Sequence, residues 1–132
     1  SKINRATDLG HTLILNSESQ LPDSGSEDQV ATLITTLGNL IENALEALGP
    51  EPGGEISVTL HYRHGWLHCE VNDDGPGIAP DKIDHIFDKG VGLALVKQQV
   101  ENLGGSIAVE SEPGIFTQFF VQIPWDGERS NR

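Results

Sequence analysis

Residues 28–48 read DQVATLITTLGNLIENALEAL, and this stretch sets the architecture of the first half of the chain. Its apolar residues recur at intervals of three, four and seven positions, which is the spacing of one face of an α-helix. Gly49 and Pro50 follow at once, as at the end of a helix. We therefore expect a long amphipathic helix over 28–48. Its core-facing residues are expected to be Val30, Leu33, Ile34, Leu37, Leu40, Ile41, Ala44, Leu45 and Leu48.

The segments around this helix carry strand patterns and one further helix pattern. Alternation with period two on both sides of residues 63–65 predicts an antiparallel hairpin. Pro113 and Gly114 suit a type II turn between two closing strands. The predicted strands lie at 10–16, 55–62, 66–73, 106–110 and 116–123, with a short helix within 80–87 and a second long helix at 91–103. The sum predicts an α+β fold, a two-layer α/β sandwich with a mostly antiparallel mixed sheet and helices on one face.

The length of 132 residues corresponds to about one domain, so we expect a single domain over 1–132. Residues 1–10, SKINRATDLG, are expected to be a linker from a preceding segment. No run approaches the roughly 20 apolar residues of a membrane span, and no signal-peptide pattern opens the chain. Cys69, in an alternating run, is expected to have a packing role in a reduced compartment.

The charge balance excludes two classes of partner. Eight Lys and Arg residues against 20 Asp and Glu residues give a net charge of −12, which repels nucleic acid and anionic lipid. Such a surface can still hold a polyphosphate if a divalent cation and backbone N–H groups supply positive potential locally. Binding of a polyphosphate would then require Mg²⁺.

Four polar residues, Asn39, Glu42, Asn43 and Glu46, form a stripe on the first helix nearly opposite the apolar face. An ordinary solvated helix face would explain them. Asparagine, however, is a poor helix former in mid-helix, and glutamate or lysine would serve solvation better. Its carbonyl oxygen can ligand a hard cation and its amide can donate to phosphate. The stripe thus also fits a magnesium site.

Two glycine-rich turns follow the helix. Asp73 stands at the end of a strand directly before Gly75 and Gly77, whose lack of side chains lets a planar ligand approach the backbone. The aspartate could accept a hydrogen bond from an exocyclic amine, with Ile78 packed on the ring, although an ordinary turn would look the same. Gly90 and Gly92 lead into the second long helix, whose N-terminal N–H groups could face a phosphate.

The order of these blocks resembles the ATP-binding domain shared by sensor histidine kinases, gyrase-type topoisomerases, ninety-kilodalton heat-shock chaperones and mismatch-repair ATPases, known as the GHKL or Bergerat fold. NLIENALEA (39–47) looks like the N box and DDGPGI (73–78) like the first glycine box. HIFDK (85–89) looks like the F box and GVGLALVK (90–97) like the second glycine box. The ending and the NALEA motif are most similar to sensor kinases for C4-dicarboxylates such as fumarate, or for citrate.

The resemblance implies a role for each matched residue. Asn43 would ligand Mg²⁺, Asn39 would contact phosphates, and Asp73 would recognise the adenine amino group of ATP. The remaining cofactor-binding residues would be Gly75, Gly77 and Ile78 at the adenine end and Lys89, Gly90, Gly92 and Leu93 at the phosphate end. Asn39 and Asn43 would be the catalytic pair.

Asn39 separates the enzyme classes within this family. The ATPase branches carry a glutamate four residues before the magnesium asparagine, and Asn39 cannot replace it as a base. We therefore expect slow hydrolysis and transfer of the γ-phosphate to an external histidine. Glu42, beside the magnesium asparagine, is the alternative base.

Three departures from the family pattern qualify these expectations. Glu46 stands where many kinases have a basic residue. Only Asp88 and Lys89 separate Phe87 from the second glycine box, where relatives have a lid of a dozen or more residues; deletion and a mobile lid missing from the sequence both fit, and we expect the latter. No phosphoacceptor block is present, and surface or strand-pair roles are expected for His11, His61, His64, His68 and His85.

The sequence thus predicts a histidine-kinase catalytic domain that donates phosphate to a histidine in a separate dimerisation segment of its parent kinase. The parent would be a homodimeric membrane sensor with this domain in the cytoplasm and a response regulator downstream. The domain itself would contact neither nucleic acid nor the membrane. Alternatives are an ATP-binding regulatory module without turnover and a GHKL-type ATP hydrolase.

Overall fold

A computed structural model describes residues 10–17, 25–88 and 90–125. Apart from Gly10, the expected linker lies outside the described residues, and so does Lys89. The helices are α1 (Glu27–Leu48), α2 (Pro80–Ile83) and α3 (Val91–Asn102), with a short 3₁₀ helix at Ile86–Asp88. The strands are β1 (Thr12–Ser17), β2 (Glu55–Arg63), β3 (Trp66–Asp73), β4 (Ser106–Glu112) and β5 (Phe116–Pro124).

The five strands form one sheet in the order β1-β2-β3-β5-β4. β1 runs parallel to β2, and the other three pairings are antiparallel. The prediction of a mostly antiparallel mixed sheet is therefore confirmed. In the register of β3 and β5, Asp73 lies opposite Thr117, which places both side chains on the same face of the sheet.

The core lies between one face of this sheet and the two long helices. Alternate residues of β3 and β5 are buried, as expected for strands with one covered face. The largest fully buried side chain is Phe119 of β5. The helices on one face are thus also confirmed. Their buried apolar residues are Leu40, Ile41, Ala44 and Leu45 of α1 and Leu93, Val96 and Val100 of α3.

The start of α1 differs from the prediction. Ser26 accepts a hydrogen bond from the Gln29 N–H while the Gln29 side chain accepts from the Ser26 N–H, a capping box that begins the helix at Glu27. Val30 and Ile34, expected in the core, are 39% and 66% exposed. In the first half of α1 the buried positions are Gln29, Thr32 and Thr36, so Val30 and Ile34 lie away from the covered side of the helix.

β1 starts at Thr12, two residues later than predicted. The His11 side chain before it is hydrogen-bonded to the connection between α1 and β2. Its Nδ1 accepts from the Gly54 N–H, so Nε2 carries the proton and donates to the Gly49 carbonyl at 2.9 Å. His11 is 4% exposed, so the expectation of a surface or strand-pair histidine is wrong here. The imidazole instead joins β1 to the 49–54 connection.

The two turns of the sheet follow their sequence signals. β2 ends at Arg63, and His64 and Gly65 both have positive φ, at 54° and 83°, as a type I′ hairpin turn requires. Gly114 has φ of +83°, which suits the third position of a type II turn. Cys69 is buried, and burial raises the pKa of its thiol to about 12, in keeping with the expected packing role.

The connection before α3 is short. Only Asp88 and Lys89 lie between Phe87 and Gly90 in this chain. None of the helices among the described residues combines the length and the apolar composition that a membrane crossing requires.

Candidate functional site

Two adjoining hollows lie between α1, α3, the end of β3 and the loop after it. The first, of about 290 Å³, is lined by Asn39, Glu42, Asn43, Glu46, Gly90, Val91, Gly92 and Leu93. The second, of about 280 Å³, is lined by Asn43, Glu46, Ala47, Asp73, Gly77, Ile78, Ile86 and Thr117. Asn43 and Glu46 border both hollows, which therefore form one cleft with two lobes. We call them the glycine-helix lobe and the aspartate lobe.

The polar stripe of α1 lines the glycine-helix lobe and is no ordinary solvated face. Asn39 donates from its amide to the Thr35 carbonyl at 2.8 Å, one turn earlier in the same helix. With the amide nitrogen in this bond, the side-chain carbonyl oxygen of Asn39 faces α3. A Cβ built on Gly92 would lie 2.5 Å from Asn39 Oδ1. A side chain at residue 92 would therefore displace the Asn39 side chain.

The N-terminus of α3 is open, in contrast to that of α1. Gly90 occupies the N-cap with φ of 75°, and no side chain caps the helix there. The first turn of α3 carries no acidic residue, whereas α1 has Glu27 and Asp28 in its first turn. The first N–H groups of α3 and the positive end of its dipole can thus receive an anion.

The charge of the glycine-helix lobe decides what anion could enter. Among the residues that the structure describes, its lining includes the carboxylates of Glu42 and Glu46 and no Lys or Arg. A polyphosphate would meet negative potential from these two carboxylates, which a divalent cation could offset. Carboxamide and carboxylate oxygens suit Mg²⁺, which takes one or two protein ligands and completes its shell with phosphate and water.

The described residues contain no cluster of three or more His, Cys, Asp or Glu side chains that could hold a metal alone. Asn43 is the candidate ligand on this chain, because it borders both lobes.

Asp73 dominates the aspartate lobe. It is 4% exposed, and its Oδ1 accepts from the Gly75 N–H at 3.0 Å. Burial raises the pKa of this carboxyl from 3.8 to about 6; the Gly75 hydrogen bond opposes the increase and the charge of Asp74 adds to it. A carboxylate in the lining of a cleft can accept a hydrogen bond from a ligand donor.

The two glycines of the first glycine box have different surroundings. Gly77, with φ of +73°, lines the aspartate lobe together with Ile78. Gly75 lines neither hollow: its N–H holds Asp73, and a Cβ on it would lie 2.8 Å from Asp73 Oδ1. Gly75 therefore supports the aspartate and does not itself border the cleft.

Two residues of the aspartate lobe were missed in the sequence. Thr117, 3% exposed, lies opposite Asp73 on β5, and its signal was a polar residue at an inward position of an alternating strand. Ile86 belongs to the matched F box, whose Phe87 packs edge-on against Phe119 at 6.2 Å and lies under the Lys97 ammonium group at 5.6 Å.

The remaining histidines lie away from the cleft lining. His61 and His68 are cross-strand partners with ring centroids 5.9 Å apart, which confirms the expected strand pair. They line a separate hollow of about 290 Å³ on the sheet. His64 is in the hairpin turn, and His85 lies 3.7 Å from Asp88 beside the 3₁₀ helix.

Comparison with known families identifies this architecture. Residues 28–127 match the family model described as histidine kinase-, DNA gyrase B-, and HSP90-like ATPase. The chain therefore belongs to this family.

Individual relatives place it in the sensor histidine kinase branch. The sensor histidine kinase DcuS of Escherichia coli (strain K12) is 94% identical over 141 residues, covering 100% of this chain and 26% of DcuS. The sensor protein CitS of Bacillus subtilis is 32% identical over 139 residues, covering 98% of this chain and 26% of CitS. The solved structure of full-length ShkA in complex with AMPPNP superimposes with a TM-score of 0.81 at 27% identity, covering 94% of this chain and 27% of ShkA.

The alignment with DcuS also contains a difference in length. It spans 141 positions against the 132 residues of this chain, so at least nine positions are gaps in this chain. An identity of 94% over 141 positions corresponds to about 132 identical pairs, which is the number of residues here. The two sequences thus differ chiefly by residues that DcuS has and this chain lacks. The chain spans about a quarter of the length of the curated relatives it matches.

Proposed function

We propose that this chain binds Mg²⁺·ATP in the two-lobed cleft and transfers the γ-phosphate to a histidine in a separate dimerisation segment of its parent sensor kinase. The adenine occupies the aspartate lobe and the phosphates occupy the glycine-helix lobe. The observation that carries the proposal is the position of Asn43, which borders both lobes at their junction. The AMPPNP complex of ShkA, a structural relative, supports a nucleotide as the ligand.

Recognition of adenine follows from the chemistry of the aspartate lobe. The exocyclic amine of adenine donates to Asp73, whose carboxylate is buried and otherwise holds the Gly75 N–H. Ile78 and Ile86 supply apolar surface for the ring. A guanine would present a carbonyl oxygen where adenine has its amine, leaving the Asp73 carboxylate without a donor, so the lobe favours ATP over GTP.

Binding of the triphosphate relies on backbone donors and side-chain oxygens. The free N–H groups at the start of α3 receive phosphate oxygens, and Asn43 with Asn39 holds the phosphate end against α1. Mg²⁺, when bound, neutralises charge on the phosphates. The chain supplies orientation and electrostatic stabilisation, while the attacking imidazole comes from the other segment.

A second candidate function is ATP hydrolysis. Glu42 lines the same lobe as Asn39 and Asn43, so the cleft contains a carboxylate that could activate water. Transfer is favoured because Asn39 stands at the position where the ATPase branches of the resembled family have their glutamate. A module that binds ATP without turnover is the third candidate, distinguished by binding without either reaction.

One assay separates the three functions. The chain is mixed with the dimerisation segment of DcuS and γ-labelled ATP with Mg²⁺. Acid-labile, alkali-stable phosphate on that segment supports transfer. Rapid phosphate release without the segment indicates hydrolysis, and tight binding with neither product indicates a regulatory module; either result would contradict the proposal.

The wider setting rests on the same proposal. The parent is a homodimeric membrane sensor for a C4-dicarboxylate or citrate, with this domain on the cytoplasmic side and a response regulator that takes the phosphate from the histidine. Similarity to DcuS and CitS supports this setting. The domain contributes the catalytic step and not the perception of the signal.

A further inference from the structure

The end of the β4–β5 hairpin lies against the loop of the first glycine box. The Gly114 N–H donates to the Pro76 carbonyl at 2.6 Å, across the gap between the turn and the loop. A Cβ on Gly77 would lie 2.5 Å from the Glu112 carbonyl oxygen, so the two backbones touch at this point. Residues 76 and 77 of the loop are thus both in contact with the hairpin.

The Ser111 hydroxyl makes the third contact between the hairpin and the loop, and it has three hydrogen-bond partners. Its Oγ accepts from the Ile78 N–H at 2.7 Å and donates to the Phe116 carbonyl at 2.8 Å. The Thr117 hydroxyl lies 3.3 Å from the same oxygen. Because the one proton of Ser111 goes to Phe116, Thr117 is the donor in that pair. Ser111 therefore links two residues of the aspartate lobe, Ile78 and Thr117, without lining the lobe itself.

We infer that Ser111 is a positioning residue for the nucleotide: it fixes the backbone of residues 76–78 so that the aspartate lobe has its binding shape before ATP arrives. The inference rests on the proposed function, because adenine is the ligand of that lobe. Without the hydroxyl, the Ile78 N–H has no partner and the loop can take several arrangements. Binding must then order the loop, which weakens affinity. The phosphate end, built from α1 and α3, is unchanged.

The test compares four variants with the parent chain. Ser111→Ala removes the hydroxyl, while Ser111→Thr and Ser111→Val have nearly the same shape and differ in the presence of a hydroxyl. Ser106→Ala is the matched control, because Ser106 is an exposed serine at the other end of β4 that accepts a hydrogen bond from the Gln122 amide at 3.0 Å. Calorimetry with Mg²⁺·ATP measures Kd, and the transfer assay gives KM and the rate at saturation.

Ser111→Ala and Ser111→Val are expected to raise Kd and KM by about three- to tenfold, the range for one lost hydrogen bond. Their transfer rate at saturating ATP should stay within about twofold of the parent. Ser111→Thr and Ser106→Ala should bind like the parent. Amide exchange at Ile78, measured without nucleotide, should be faster in the Ala and Val variants alone.

Two results would overturn the inference: parental Kd in both Ser111→Ala and Ser111→Val, or an equal loss in the Thr and Val variants. If the Ala variant does not fold, the Thr and Val pair decides. Failure of the parent chain to bind ATP would instead refute the proposed function, and unchanged Ile78 exchange in the Val variant would refute the positioning role independently of any ligand.

Discussion

Asn39 on α1 and Gly92 on α3 meet so closely that a Cβ on Gly92 would lie 2.5 Å from the Asn39 carbonyl oxygen. The contact ties the asparagine helix to the second glycine box, two elements separated by the whole β2–β3 hairpin in sequence. The position of Asn39 therefore depends on the absence of a side chain at residue 92.

Gly92→Ala should displace the Asn39 side chain and lower the rate of phosphate transfer by about tenfold or more, a loss of at least about 1.4 kcal/mol of transition-state stabilisation. Gly92 lies within α3, and alanine has a higher helix propensity than glycine. The substitution should therefore not destabilise the helix itself. Gly38→Ala is the control, since a Cβ there has nothing within 4 Å. It should leave transfer unchanged and stabilise α1 by about 1 kcal/mol. Equal transfer rates in the two variants would contradict the role of this contact.

Asp73→Asn should weaken ATP binding by about tenfold or more and yet stabilise the empty domain at neutral pH. The folded-state pKa of about 6 lies above the unfolded value of 3.8, so the folded state binds more protons between these values. Stability therefore falls as pH rises from about 4 to about 6, and the variant escapes this loss. We expect a gain of about 2 kcal/mol in the free energy of unfolding at pH 7.5 and none at pH 4, measured by urea denaturation. Asp84→Asn, at an exposed position outside the lining of both lobes, is the control; similar effects in both variants would exclude the special role of Asp73.

The pH dependence of binding gives an independent check on the same carboxyl. Below pH 6 Asp73 becomes protonated and loses its negative charge as an acceptor, so ATP affinity should fall between pH 7.5 and pH 5. The slope should disappear in Asp73→Asn. Calorimetric Kd values at four pH values across this range are sufficient, and a flat profile for the parent chain would show that ionised Asp73 does not contact the nucleotide.

Asn43→Ala should remove the effect of Mg²⁺ on nucleotide binding. We expect Kd for ATP with Mg²⁺ to rise by about tenfold or more, toward the value without Mg²⁺, because the cation loses its ligand on this chain. Asn102→Ala, at the exposed end of α3, controls for loss of an asparagine elsewhere. A magnesium-dependent Kd that survives in Asn43→Ala would assign the cation to other residues.

Much of the fold could be predicted because its signals are local. The spacing of Leu40, Ala44 and Leu45 in α1 identified the face that packs on the sheet, and the alternation in β3 identified its covered side. Ile34 was misplaced because the buried face of α1 in this region is formed by the polar residues Thr32 and Thr36, which a search for apolar spacing passes over. Ser26 and Gln29 did carry the capping-box spacing, so the start of α1 could have been found.

The candidate site was less predictable where it depends on pairing between distant strands. Asp73 and Asn43 can be recognised from their own sequence segments. Thr117 lies in the site because the register of β3 and β5 pairs it with Asp73, and this register is not visible in the local sequence. Ser111 likewise looks like any alternating strand residue until the Ile78 N–H is found on its hydroxyl. The parallel pairing of β1 with β2 joins segments on either side of α1, and no local pattern encodes it.

The most direct test of the account is an amide chemical-shift titration of the chain with AMPPNP and Mg²⁺. The account predicts that signals of Asp73–Ile78 and of Gly90–Leu93 shift together and saturate with one Kd, because one nucleotide spans both lobes. Signals around the separate hollow lined by His61 and His68 should not move. Shifts confined to one lobe, or centred on the His61 and His68 hollow, would contradict the two-lobed nucleotide site.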